Sequence, residues 1–183
     1  MIKIIQSENP ILRKISKEIP IGSIKTEKIQ KIIDDMSEAL DSQYDGVAIA
    51  APQIGVSLRI FVVSGKIFDE EFISGQIKPN STYKKHHHNL VFINPIIKKI
   101  SRDKKLMTEG CLSVRPIYGK TRRATRVTVE AYDRNGKKFI KSGLGLLAHI
   151  FQHEIDHLDG ILFVDKAKDL HEVNEETNFS KDN

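Results

Sequence analysis

Ser142-Gly-Leu-Gly-Leu-Leu-Ala-His-Ile-Phe-Gln-His-Glu-Ile-Asp-His-Leu158 is the stretch on which the fold turns. Its apolar positions, with Gly160 just beyond, predict one buried helix over 142–158 stopped by that glycine. Within it, His153-Glu154-Ile155-Asp156-His157 sets two histidines at i and i+4. Such a pair lies about 40° apart around the axis and about 6 Å along it, so both imidazoles reach one ion. Glu154 points about 100° away, where its carboxylate meets a water on that ion without binding the ion itself. Buried histidines and a buried glutamate are costly without a partner, and a cation is a partner.

His149 precedes His153 by four residues but cannot serve together with both others, because 149 to 157 spans about 12 Å of helix. Pairing it with His153 would put Ile150 where the acid is needed, so His149 is read as a pocket or core residue. A catalytic metal site needs a third protein ligand and an open position. Cys111, within Glu109-Gly110-Cys111-Leu112-Ser113, is the candidate. A free cysteine is also a common small core residue, and at this point both readings stand.

Working outward, apolar residues after Thr26 fall at Ile29, Ile32, Ile33, Met36, Ala39 and Leu40, the spacing of one helical face. Residues 58–64 and 89–93 are β-rich, and 125–132 alternates. Asn135-Gly136 predicts a type I′ turn into a partner strand over 137–141. Residues 65–88 form a long polar connection, a loop or flap, whose His86-His87-His88 triplet reads as an exposed tip. Ile161–Val164 is a short apolar segment, and 169–183 a polar, acidic tail with a frayed end. The fold class is α+β: antiparallel or mixed β-sheets packed around a late buried helix, with an N-terminal helix and one core.

The chain has 183 residues, 39% of them apolar and 29% charged, enough for one domain with a sizeable core and too apolar for wholesale disorder. A single cysteine excludes an intrachain disulfide and suits a reducing compartment. No apolar run reaches the roughly 18 residues of a membrane span, and the first residues lack a signal-peptide core. A cytoplasmic location and no membrane partner are expected. Net charge is +5, but 21 of the 29 basic residues are lysines scattered along the chain, as on solvated faces. Only Lys120-Thr-Arg-Arg-Ala-Thr-Arg126 is dense in base, so no direct nucleic-acid recognition is expected.

Three motifs in order, Gly46-Val-Ala-Ile-Ala-Ala-Pro-Gln53, Glu109-Gly-Cys-Leu-Ser113 and Gln152-His-Glu-Ile-Asp-His-Leu158, resemble the peptide deformylase family over most of the chain. The resemblance implies a single catalytic domain over 1–168 that removes the N-formyl group from N-formylmethionine at the start of nascent proteins. It implies one divalent metal ion held by Cys111, His153 and His157, ferrous iron natively, with zinc, nickel or cobalt as substitutes. Glu154 would be general base and acid, and the Gln53 amide with the Leu112 backbone N–H would stabilise the oxyanion. Gly46, Val47, Ala48, Glu109, Gly110, Leu146, His149 and Ile150 are the expected cleft residues, with Val47, Leu146 and Ile150 lining a methionine slot.

This chain departs from the family pattern at Ala48, usually glycine, and at Arg115, where proline commonly follows two residues after the motif. Its acidic tail does not support the ribosome contact made by the basic C-terminal helix of some members. Two rival readings remain. One is an HExxH metallopeptidase, which usually wants a downstream ligand, here sought among Asp159, Asp165, Asp169, His171 and Glu172. The other is a non-enzymatic ribosome-associated metal protein of the same fold.

Overall fold

A computed structural model of the chain describes residues 2–73 and 87–173. Its elements are α1 (Glu27–Asp41), β1 (Ala48–Ala50), β2 (Ile60–Val63), α2 (Glu70–Ile73), β3 (Leu90–Ile100), β4 (Lys104–Gly110), β5 (Ile117–Ala124), β6 (Arg126–Tyr132), β7 (Lys138–Leu144), α3 (Gly145–Leu158) and β8 (Lys168–Glu172). They build two antiparallel sheets, one ordered β1-β2-β3-β6-β7 and one ordered β4-β5-β8.

Ile60-Phe-Val-Val63 is apolar at every position because helices cover both faces of its strand. Phe61 and Val63 point to α3, where the Phe61 ring stacks on Phe92 at 4.5 Å and Phe92 meets Phe151 at 5.2 Å. Ile60 and Val62 point the other way, onto Ile29, Ile33, Met36 and Leu40 of α1. Each such side chain removed from water contributes about 1.5–3 kcal/mol, which fixes the register of β2 against its neighbours. The expected single core is therefore two clusters on opposite faces of one sheet, with a third around Leu12, Cys111, Val114, Leu162 and Phe163.

Other expectations are also corrected. The late helix begins at Gly145, and Ser142–Leu144 close strand β7 instead. Gly145 has φ of 52°, which lets the chain turn from strand to helix, and Leu144 beside it is exposed. The β6–β7 turn is not type I′, since only Gly136 is left-handed there and Asn135 is not. The Asp133 carboxylate accepts from the N–H groups of Asn135 and Lys137 and stabilises a wider loop with a left-handed glycine. The connection 65–88 starts with two short helical turns, Gly65–Phe68 and α2. His86 of the triplet lies outside the described residues, while His87 approaches Asp69 at 3.4 Å. The tail expected from 169 starts inside β8, which pairs with β5 through Tyr118 and His171, and 174–183 lie outside the described residues. Among the described residues, no helix is long and apolar enough to cross a membrane.

Candidate active site

β1 and β4 are both sheet edges, and they face each other across a cavity of about 240 Å³ floored by α3. Gly46, Val47, Ala48 and Gln53 form one wall; Glu109, Gly110, Cys111 and Leu112 form the other. Leu146, His149, Ile150, His153 and Glu154 rise from the helix, and Asp45 bonds Arg115 across the mouth at 2.6 Å. Two glycines on these walls are packed too closely to carry a side chain. A Cβ on Gly110 would lie 2.5 Å from the Tyr118 ring, and one on Gly46 would crowd Leu40 and Leu112.

Cys111, His153 and His157 converge, with ligand atoms all within 4.8 Å of one another. Cys111 Sγ lies 3.2 Å from His157 Nε2, near the ~3.5 Å that separates two donors of one tetrahedral ion. Burial pushes the His157 imidazolium well down, so that ring stays neutral and its lone pair is available. Burial pushes the Cys111 thiol up to about 12, a cost that a cation bound to the thiolate would reverse. His157 lies behind the cavity rather than on its wall. One sulfur and two imidazoles suit zinc, ferrous iron, cobalt or nickel, so the donor set fits a divalent metal ion.

Glu109 has a role the sequence did not disclose. Its carboxylate turns under the helix, receives His153 Nδ1 at 2.9 Å and Arg123 Nη2 at 2.7 Å, and accepts from the Thr121 hydroxyl. A carboxylate on the far nitrogen fixes the tautomer and ring plane of a ligand histidine, and here it would leave His153 Nε2 available to a cation. Burial pushes Glu109 up, but the neighbouring His149, His153 and Arg123 outweigh it and hold the carboxyl far below its usual range. His149 Nε2 also stands 2.9 Å from Glu109 Oε1, but without the alignment of a hydrogen bond. It both lines the cavity and is buried, as a pocket or core residue should be.

Glu154 is the contrasting carboxyl. It is 3% exposed, lines the cavity and has an Oε2 with no protein partner. Burial raises its pKa well above the ordinary value, and the negative Glu109 pushes the same way. Gln53 is held by its own turn: Oε1 accepts from Ala50 N–H at 2.8 Å, which aims Nε2 at Ser113 Oγ (3.1 Å) and Cys111 Sγ (3.5 Å).

The downstream ligands wanted by a metallopeptidase do not join the cluster. Asp159 bonds Arg59, Asp165 bonds Arg13, and Asp169, His171 and Glu172 sit on exposed β8.

A family model described as polypeptide deformylase matches residues 1–173. The chain belongs to that family. Its members are metal-dependent hydrolases, and a divalent metal is what the family implies for the Cys111, His153 and His157 cluster. Peptide deformylase of Carboxydothermus hydrogenoformans is 40% identical over 92% of this chain and 94% of its own length. Peptide deformylase 1A of Arabidopsis thaliana, chloroplastic/mitochondrial, is 42% identical over 90% of this chain, which spans only 60% of that longer protein. A solved deformylase from Legionella pneumophila is 40% identical, with a TM-score of 0.73 over 91% of this chain and 86% of that one.

Proposed function

We propose that the chain removes the formyl group from peptides beginning with N-formylmethionine, using a divalent cation held by Cys111, His153 and His157. The observation that carries this reading is the meeting, at one small cavity, of that donor set, the unpartnered Glu154 carboxyl and the pre-aimed Gln53 amide. When bound, the cation supplies a nucleophile near neutral pH by lowering the pKa of its water. Glu154 takes the proton of the attacking water as the C–O bond forms. It returns that proton to the leaving nitrogen as the C–N bond breaks, because an amine leaves poorly until protonated. The products are formate and a free amino terminus. Charge gathers on the former formyl oxygen, where Gln53 Nε2 and the Leu112 N–H donate, each such donor contributing about 3 kcal/mol.

Val47, Leu146 and Ile150 form an apolar wall suited to an unbranched methionine side chain. The two facing sheet edges leave room for an extended chain, so the peptide lies along β1 and β4. We assign ferrous iron as the native cation from the family resemblance, since the ligand set alone takes several ions. The cytoplasm is the proposed location, in keeping with a lone reduced thiol.

Metal analysis of protein purified without oxygen, paired with formate release from a formylmethionyl peptide, tests this. Expected are about one iron per chain and no turnover of the unformylated peptide. In air the iron form decays as iron or Cys111 oxidises, while nickel or cobalt forms persist. A fully metallated protein that releases no formate overturns the activity.

A further inference from the structure

The run Lys120–Arg126 is the one stretch of the sequence dense in base, and strand β5 divides it. Lys120 and Arg122 are exposed, while Thr121 and Arg123 turn inward and are buried. The Arg123 guanidinium, 6% exposed, spans two carboxylates on different elements. Nη2 donates to Glu109 Oε1 at 2.7 Å, Nε lies 3.2 Å from the same oxygen, and Nη1 donates to Asp156 Oδ2 at 2.6 Å. Asp156 is held from outside by Lys166 Nζ at 2.8 Å.

We propose that Arg123 is a positioning residue for the cation site. Its fork braces β4, which leads into Cys111, against α3, which carries His153 and His157. It also holds Glu109 in the orientation that receives His153 Nδ1–H. Buried ion pairs of this kind contribute little net stability, because desolvation offsets attraction. What the guanidinium supplies is direction: it is planar, permanently charged and meets two carboxylates at fixed angles, which an ammonium cannot do. Orientation of a ligand histidine by its outer partner is worth about 10- to 100-fold in metal affinity. Arg123 acts one bond further out, through Glu109.

The inference rests on the reading of Cys111, His153 and His157 as a cation site, and the test reads that site without substrate. Cobalt(II) is titrated into metal-free wild type, Arg123→Lys, Arg123→Met and Arg122→Met, against a competing chelator. The cobalt visible spectrum and circular dichroism are recorded for each. Arg123→Met is expected to lose about 10- to 100-fold in cobalt affinity with an altered visible band. Arg123→Lys, which keeps the charge and is the safer variant to fold, falls between it and wild type. Arg122→Met, which removes an exposed charge from the same strand, matches wild type. A folded Arg123→Lys protein with wild-type affinity and spectrum overturns the proposal, whether or not Arg123→Met folds. Wild type that binds no cobalt overturns both this proposal and the cation site beneath it.

Discussion

Where α1 and α3 cover it, the five-stranded sheet is apolar on both faces, whereas the three-stranded sheet turns Thr121, Arg123 and Glu109 inward beneath α3. Apolar contacts are strong in sum but carry no direction, so they hold a scaffold together without aiming any one atom. Charge-assisted hydrogen bonds are directional and fix a ring plane or a carboxylate within tight limits. The difference teaches that mass and aim are divided in this molecule. The large sheet supplies stability; the small sheet, with the helix between them, supplies orientation.

That division is open to attack by mutation. Met36, fully buried on the α1 side of the large sheet, is remote from the cavity walls. Met36→Ala is expected to cost about 2–5 kcal/mol in a denaturant titration, with turnover per folded molecule unchanged. A fall in turnover of the folded fraction would mean that the far face also aims the site. Glu154→Gln is the converse. It keeps shape and metal ligation but removes the proton carrier, so formate release should drop at least about 100-fold, ~2.7 kcal/mol on the barrier. Metal content and melting midpoint should hold; near-normal turnover by the fully metallated variant would sink the assignment.

Two smaller effects sharpen the boundary. Gly136, with φ of 75°, caps the hairpin of the large sheet. Gly136→Ala should lower stability by about 1–2 kcal/mol through left-handed strain, and leave the specificity constant alone. Ala48 lies on the border, both in the α3-side apolar cluster and on the cavity wall. Ala48→Gly should cost about 0.5–1 kcal/mol of stability and leave the specificity constant equal or slightly raised. A large kinetic loss would show that this methyl packs against the substrate.

The same division decides what was legible in the sequence. Helix α1, the β6–β7 hairpin and the histidine pair of α3 follow ordinary periods, because apolar residues mark their buried faces. β4 and β5 were passed over because their buried positions include Glu109, Thr121 and Arg123, which no hydrophobic pattern reveals. β5 does alternate, with Gly119, Thr121 and Arg123 inward and Lys120 and Arg122 outward, but residue polarity does not distinguish the two faces. Strand β8 is exposed at every position and is held by pairing with β5, so its side chains carry no period at all. The proposed histidine donors are legible in the spacing of the helix motif, and Cys111 joins them only through the family resemblance. The carboxylate behind His153 was placed in the cleft but not given its partner, since Glu109 and His153 are 44 residues apart.

Cys111 and His157 are separated by 46 residues, and β5, β6 and β7 lie between them. A cation at that point would close a loop that contains all three of these strands. Cys111 lies past the middle of the chain, and both imidazoles follow it by more than 40 residues. A chain cut before His153 keeps the residues of α1 and β1–β7 but lacks two of the three proposed donors. A cation held by all three would therefore be captured only after β5, β6, β7 and α3 are in place, so bound metal would report that this part of the fold has formed.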